Sequence, residues 1–203
     1  MFKKFVLQGN RSHIRTDEEM HMVDKAAADL AFKKYSRELL GTYLAGQGFR
    51  KWKTNAYVRR NPIGLLEYID LQKERYGSKT FTVNYAIMPL YIPAEYMIIG
   101  FGDRLGSFLS GKDIWWDYAD EEAAKVSFQN VVQAISRYLL PWFQKYSEEC
   151  NYRKQLERDA KKPFCGYDSQ LWLKALDECK DKERAALETI HKMKLPRGLT
   201  EGI

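Results

Sequence analysis

The first regular pattern in the chain is helical, because apolar residues recur every three to four positions from Asp17 onwards. Thr16 or Asp17 suits the N-cap, and Gly46-Gln47-Gly48 suits the C-terminal end. The apolar positions that carry the spacing are Val23, Ala27, Leu30, Ala31, Leu39, Leu40 and Leu44. This spacing predicts one amphipathic helix over residues 17–46.

The pattern then changes to a period of two, which predicts strands. Four segments carry it, at residues 49–60, 65–73, 81–88 and 95–101. In the second segment one side carries Leu65, Glu67, Ile69 and Leu71, and the other carries Leu66, Tyr68, Asp70 and Gln72. In the third segment one side carries Phe81, Val83, Tyr85 and Ile87, and the other carries Thr82, Asn84, Ala86 and Met88. Short connections between the segments favour an antiparallel sheet.

A second helical pattern begins at Asp120 and runs through Leu139, and Pro141 should kink or end it. Beyond residue 145 the chain becomes more charged, and leucines there predict one or two further helices that end before Pro196. The fold class that follows is α+β, with an N-terminal helix, a four-stranded mainly antiparallel sheet, a long helix packed on the sheet and extra C-terminal helices. The domain boundaries that we expect are an N-terminal extension at residues 1–16, an α+β domain at residues 17–146 and a C-terminal helical extension at residues 147–203.

Composition places the chain among soluble globular proteins, with 45% hydrophobic and 30% charged residues. The only apolar run near the N-terminus is Phe5-Val6-Leu7, and no run approaches the roughly 20 residues of a membrane span. Three scattered cysteines without a CxxC pair favour a reducing compartment. These observations predict a cytoplasmic protein with no membrane partner.

The net charge of +6 is concentrated in residues 1–80, which carry +7. Within them, the stretch Arg50–Arg60 interleaves basic and aromatic residues, as surfaces that bind single-stranded nucleic acid do. In a regular strand, however, Lys51, Lys53 and Arg59 would face one side, and Arg50, Trp52 and Arg60 would face the other. A solvated basic surface is therefore the interpretation to set against nucleic-acid binding.

No motif for a known chemistry is present in the sequence. It lacks an HExxH or Cys/His cluster, a glycine-rich phosphate loop and a GxSxG elbow. The sequence therefore predicts no catalytic residue, no cofactor and no metal ion. A hydrolase is a third option, and its carboxylates would come from Asp103, Asp113 and Asp117.

The best candidate site gathers amides, acids, an arginine and two tryptophans. Gln72 and Asn84 lie on adjacent segments, and Arg104 lies in a glycine-flanked bend where its guanidinium could hold a carboxylate or phosphate. The full set is Gln72, Asn84, Asp103, Arg104, Trp115, Trp116 and Asp117. This set predicts a non-enzymatic module that binds a protein or a small acidic ligand. The alternative is a buried structural network in which Arg104 pairs with Asp117 or with carbonyl groups at strand ends.

Several short pieces in a fixed order resemble one family. Gly48-Phe49-Arg50-Lys51 follows the first helix, Leu71-Gln72-Lys73 precedes Tyr76-Gly77, and Phe81-Thr82-Val83-Asn84 lies in the third strand. Arg104-Leu105-Gly106 then precedes Asp113-Ile114-Trp115-Trp116, and a long helix closes the unit. Over about residues 48–143 the chain resembles domain of unknown function DUF4304, an uncharacterised and mostly bacterial family. The resemblance implies a fold and carries no established activity. Tyr85-Ala86 departs from it, where we expect a smaller aliphatic residue followed by glycine.

Overall fold

The computed structural model describes residues 17–162 and 166–200, with side chains described from residue 26 and, in the helix that starts at 166, from residue 168. The expected 1–16 extension and Cys165 lie outside the described residues, whereas Cys150 and Cys179 are free thiols. The fold is α+β, as expected. Its strands are β1 (Arg50–Lys53), β2 (Ala56–Arg60), β3 (Leu65–Lys73), β4 (Thr80–Pro89), β5 (Phe101–Arg104) and β6 (Trp116–Asp117).

The sheet is antiparallel, in the order β1-β2-β3-β4-β5, and β6 pairs with β4 beside β5. The predicted count of four strands is too low by two. The 49–60 segment is a hairpin that turns at Thr54 and Asn55, because asparagine favours a turn even inside an alternating run. The predicted 95–101 strand is shifted to residues 101–104, and β6 is too short to show any alternation.

The N-terminal helix consists of α1 (Asp17–Tyr35), a π-helical turn (Ser36–Gly41) and α2 (Thr42–Gly46), which matches the predicted span. The long helix is α4 (Glu121–Ala134), a second π-helical turn (Ile135–Leu139) and α5 (Leu140–Tyr146), with the short α3 (Leu105–Ser110) before it. The helix passes through Pro141 directly after the π turn, where the hydrogen-bond ladder is already interrupted. The C-terminal helices are α6 (Glu149–Asp159), α7 (Gly166–Glu178) and α8 (Lys182–Lys192), followed by a 3-10 turn (Arg197–Leu199). Within the described residues, no helix combines the length and the apolar character that crossing a bilayer requires.

One side of the sheet, here called the closed face, packs against the N-terminal and long helices. Its centre is Phe81, whose ring lies 4.8 Å from that of Phe128 and 5.3 Å from that of Phe32. All three rings are buried. Burial of apolar surface is the dominant favourable term in folding, and large rings bury much of it, so this face holds the core.

Among the described residues, the elements that cover the other side of the sheet, here called the open face, lie towards its Leu66 and Met88 end. There the Ile98 amide donates to Met88 Sδ at 3.3 Å, and Thr189 Oγ1 of α8 donates to the Ile92 carbonyl at 3.0 Å. The C-terminal helices thus contact the segment after β4. The opposite end of this face carries polar side chains.

Candidate functional site

A row of polar residues crosses the open face in register. Asp70 on β3 lies opposite Asn84 on β4, and Asn84 lies opposite Arg104 on β5. Asn84 Nδ2 donates to Gln72 Oε1 at 3.1 Å and to Asp70 Oδ2 at 3.4 Å. The two amides of the predicted set therefore meet on one face, as cross-strand neighbours do.

Arg104 extends this row to the tryptophan. Its guanidinium lies 5.5 Å from the centre of the Trp115 ring, which is a cation–π distance. Its ion-pair partner is Asp113, not Asp117, and Asp113 also accepts a hydrogen bond from Ser107 Oγ at 3.3 Å. We refer to Asp70, Gln72, Asn84, Arg104, Asp113 and Trp115 as the open-face cluster.

Glycines fix the backbone on both sides of Arg104. A Cβ atom on Gly102 would overlap the Tyr85 carbonyl oxygen, and one on Gly106 would overlap the Ile114 amide. No other residue fits either position without moving the backbone. β5 therefore lies tight against β4, and Arg104 is held at a defined place on the sheet.

Three residues of the predicted set lie elsewhere. Trp116 faces the closed side, only 9% exposed, with its ring 6.0 Å from that of Phe81. Asp103 lies opposite Tyr85 on β4, hence on the closed-face side of β5, and Asp117 Oδ1 accepts from the Ala119 amide at 2.8 Å. Successive residues of a strand point to opposite faces, so Trp115 and Trp116 do not form one wall.

The cluster also has neighbours that sequence reasoning placed differently or left out. A register shift between Lys51 and Lys53 brings Lys53 Nζ to 4.1 Å from the centre of the Trp52 ring. The prediction that Lys53 shares a side with Arg59 is therefore wrong. Trp52 in turn contacts Tyr68 edge-to-face at 6.2 Å. The sequence could have placed Asp70 in the cluster and Tyr68 beside it, because they share one side of the predicted strand with Gln72. It could not have predicted the bulge, because a four-residue strand is too short for its alternation to show an irregularity.

Partial burial controls the acid–base properties of this face. Burial raises the pKa of Asp70 above its usual range, and hydrogen bonding from Asn84 and the charge of Lys53 only partly offset this effect. Burial and the neighbouring Asp70 carboxylate raise the pKa of Tyr68. Opposite Gln72, Thr82 Oγ1 is buried without a hydrogen-bond partner among the described residues.

The far end of the open face is partly accessible to solvent. Trp115 is 38% exposed, and the Arg104 and Asp113 side chains are 33% and 39% exposed. Amide, carboxylate, guanidinium and indole groups on an accessible surface can form hydrogen bonds, ion pairs and ring contacts with a ligand. Among the described residues, no group of three or more His, Cys, Asp and Glu side chains is placed to hold a metal ion.

Comparison with known proteins places the chain in a family. No curated protein and no solved structure matches it. The model of the family described as Domain of unknown function (DUF4304) matches residues 40–145, slightly more than the expected 48–143 span. The match covers more than half of the chain and includes every residue of the open-face cluster. The chain therefore belongs to the DUF4304 family.

Proposed function

We propose that this protein is a non-enzymatic binding module that recognises an acidic segment of a partner protein at the open-face cluster. The observation that carries the proposal is a half-exposed ion pair, Arg104–Asp113, lying on the half-exposed ring of Trp115. Tryptophan and arginine are the residue types most enriched where binding energy concentrates.

A ligand carboxylate can replace Asp113 as the partner of Arg104 at a small cost in free energy. Exposed pairs contribute only about 0–1 kcal/mol to stability, because water solvates both charges almost as well. Asp113 would then be the internal carboxylate that a ligand carboxylate replaces. The planar guanidinium holds such a group through two parallel hydrogen bonds.

The amides beside Arg104 have hydrogen-bonding capacity in reserve. Asn84 donates to Gln72 and Asp70, but in the described part of the chain neither Gln72 Nε2 nor Asn84 Oδ1 has a hydrogen-bond partner. One free donor and one free acceptor on a strand pair suit a peptide backbone laid across the sheet. The preference for an acidic segment rests on the two basic residues nearest these amides, Arg104 and Lys53, whose charge acts on Asp70.

Selection from a displayed peptide library, followed by calorimetry with the selected peptide, tests this proposal. We expect acidic residues to be enriched, and Arg104→Gln to weaken affinity by about tenfold or more, because a charge-assisted contact is lost. Arg137→Gln, on the long helix, is the matched control, since it removes the same charge from another surface.

Two results would contradict the assignment. One is a library that yields no acidic consensus. The other is equal affinity of the selected peptide for the Arg104→Gln and Arg137→Gln proteins. Chemical denaturation of both variants establishes that neither result stems from unfolding.

Nucleic-acid binding is the second candidate, and one observation favours it. The register shift in β1 puts Lys53 and Trp52 on the same face as Arg50 and Arg60, giving basic and aromatic groups together. A salt titration with a single-stranded oligonucleotide separates the candidates. Phosphate-driven affinity falls steeply with ionic strength, whereas peptide binding through one arginine falls only slightly.

A further inference from the structure

A basic concavity lies between the end of β2, the end of the N-terminal helix and the C-terminal 3-10 turn. Its volume is about 320 Å³, and the described residues that line it include Gly48, Arg50, Arg59, Arg60, Asn61 and Gly198. Of the described lining residues, three are arginines and none is acidic. It is separate from the open-face cluster, because the two share no residue.

The Arg59 side chain is engaged in contacts within the protein. Its Nε donates to Glu67 Oε2 at 2.6 Å, its Nη1 donates to the Gln47 carbonyl at 2.6 Å, and its guanidinium lies 4.5 Å from the centre of the Phe49 ring. Because the Glu67 carboxylate balances its charge, Arg59 adds no net positive charge to the concavity. Any excess positive charge must therefore come from the other two arginines.

Arg50 and Arg60 supply that excess charge. Among the described residues, neither makes a hydrogen bond or an ion pair, and Glu183 on α8 attracts Arg60 only from beyond ion-pair distance. Arg60 is half-buried, and burial lowers its pKa, which reflects the cost of a charge with little water around it. Partly buried charges are normally paired.

The register of the sheet brings these two arginines together. Arg50 lies opposite Val58, and Val58 is two residues before Arg60 on the same side of β2. Such diagonal neighbours are about 7–8 Å apart, which one tetrahedral anion with several oxygens can bridge. Gly198 closes the concavity at close range, since a Cβ there would lie 3.2 Å from Arg50 Nε.

We propose that this concavity binds the phosphoryl group of a small phosphorylated molecule, with Arg60 and Arg50 as its charge partners. A phosphate monoester carries about −1.5 to −2 charges at pH 7, which matches two guanidinium groups better than a single carboxylate does. A volume of about 320 Å³ lies at the lower end of the range for small-molecule sites. Gly198 lies outside the family match at residues 40–145, so the C-terminal extension completes the site.

Titration with inorganic phosphate, pyrophosphate and phenyl phosphate at constant ionic strength tests the site, with NMR detection of backbone amides. We expect saturable shifts at Gly48 and Gly198, and a loss of affinity of about tenfold or more in both Arg60→Gln and Arg50→Gln. Arg75→Gln, on the β3–β4 connection, is the control that removes an equal charge elsewhere, and it should bind as the wild type does.

Stability measurements keep the test decisive if a variant folds poorly. Because Arg60 is half-buried without a hydrogen bond or ion pair in the part of the chain that the structure describes, Arg60→Gln should be at least as stable as the wild type in chloride buffer. It should also be less stabilised than the wild type by added phosphate. Arg50 is exposed, so its variant should fold in any case.

Three results would overturn the proposal. The first is the absence of saturable binding by all three phosphate probes. The second is an affinity for phosphate that Arg50→Gln leaves unchanged. The third is preferential binding of a single-stranded oligonucleotide that Arg75→Gln weakens as much as Arg60→Gln, which would indicate a general polyanion surface. None of these results depends on Arg104, so they leave the peptide-binding proposal untouched.

Discussion

Two arginine–carboxylate pairs on opposite faces of one sheet illustrate how burial decides the role of an ion pair. Arg59 and Glu67 lie on the closed face, where their side chains are 26% and 2% exposed, whereas Arg104 and Asp113 are 33% and 39% exposed. The chemistry of the two pairs is the same. The difference is that water can replace either partner of the second pair and cannot reach Glu67.

Glu67 is the third residue of β3, and its neighbours on the same side of the strand, Leu65 and Ile69, are fully buried. Burial raises the pKa of its carboxyl above the usual range, and Arg59 offsets only part of this effect. Arg59 also joins the end of the N-terminal helix to the sheet through the Gln47 carbonyl. The closed-face pair therefore fixes how helix and sheet meet, whereas the open-face pair stays accessible to water.

Removal of one partner from each pair should give the largest difference in the free energy of unfolding. Glu67→Ala leaves Arg59 beside a buried gap, and breaking a buried pair in this way costs about 3–5 kcal/mol. Asp113→Ala should cost no more than about 1 kcal/mol, since its pair is exposed. Urea unfolding measures both free energies, and similar costs for the two variants would remove the distinction between the faces.

Substitution of a glycine in the backbone that holds the open-face pair should destabilise the protein more than substitution of the pair itself. Gly102→Ala forces a Cβ into the Tyr85 carbonyl, and overpacking of this kind costs about 1–3 kcal/mol. Gly46→Ala is the matched control, because nothing lies within 4 Å of its Cβ position and helical alanine is favourable. If the two variants unfold at the same urea concentration, β5 is not pressed against β4 as described.

The sequence predicts the parts of this comparison that depend on strand alternation. The limits of β3 match the predicted segment, and the shared side of Gln72 and Asn84 follows once β3 and β4 pair. The partner of Arg104 could not be predicted, because Asp113 lies in a loop whose path depends on the close packing of Gly106 against Ile114. The side on which Lys53 lies could not be predicted either, since a bulge reverses the alternation without changing composition.

The pH dependence of stability should separate the buried Glu67 from the more accessible Glu74, which follows the same strand. Because the folded pKa of Glu67 is raised, the native state holds this proton more tightly than the unfolded state does. The free-energy cost of holding the ionised Glu67 carboxylate in the native state is absent below the pKa that this group has in the unfolded state. This cost grows as the pH rises through the pKa that the group has in the folded state. Glu67→Gln should therefore remove a component of stability that declines with rising pH.

Glu74 should act in the opposite direction. Hydrogen bonds from the amides of Tyr76 and Ser78 lower its pKa, so its contribution is present above the unfolded pKa and is lost as pH falls through the folded one. Glu74→Gln should therefore remove a component that rises with pH. Thermal unfolding of both variants from pH 3 to pH 8 measures the two slopes, and slopes of the same sign would contradict the assignment of burial to Glu67.

The smallest expected effect is the coupling energy between Arg104 and Asp113, and it bears most directly on the proposed function. A double-mutant cycle with Arg104→Gln and Asp113→Asn should give a coupling below about 1 kcal/mol that shrinks in high salt, as exposed pairs do. A weak coupling means that a ligand carboxylate can displace Asp113. A coupling above about 2 kcal/mol, insensitive to salt, would mean that the pair is structural like Arg59–Glu67, and the arginine would then be unable to release its partner for a ligand.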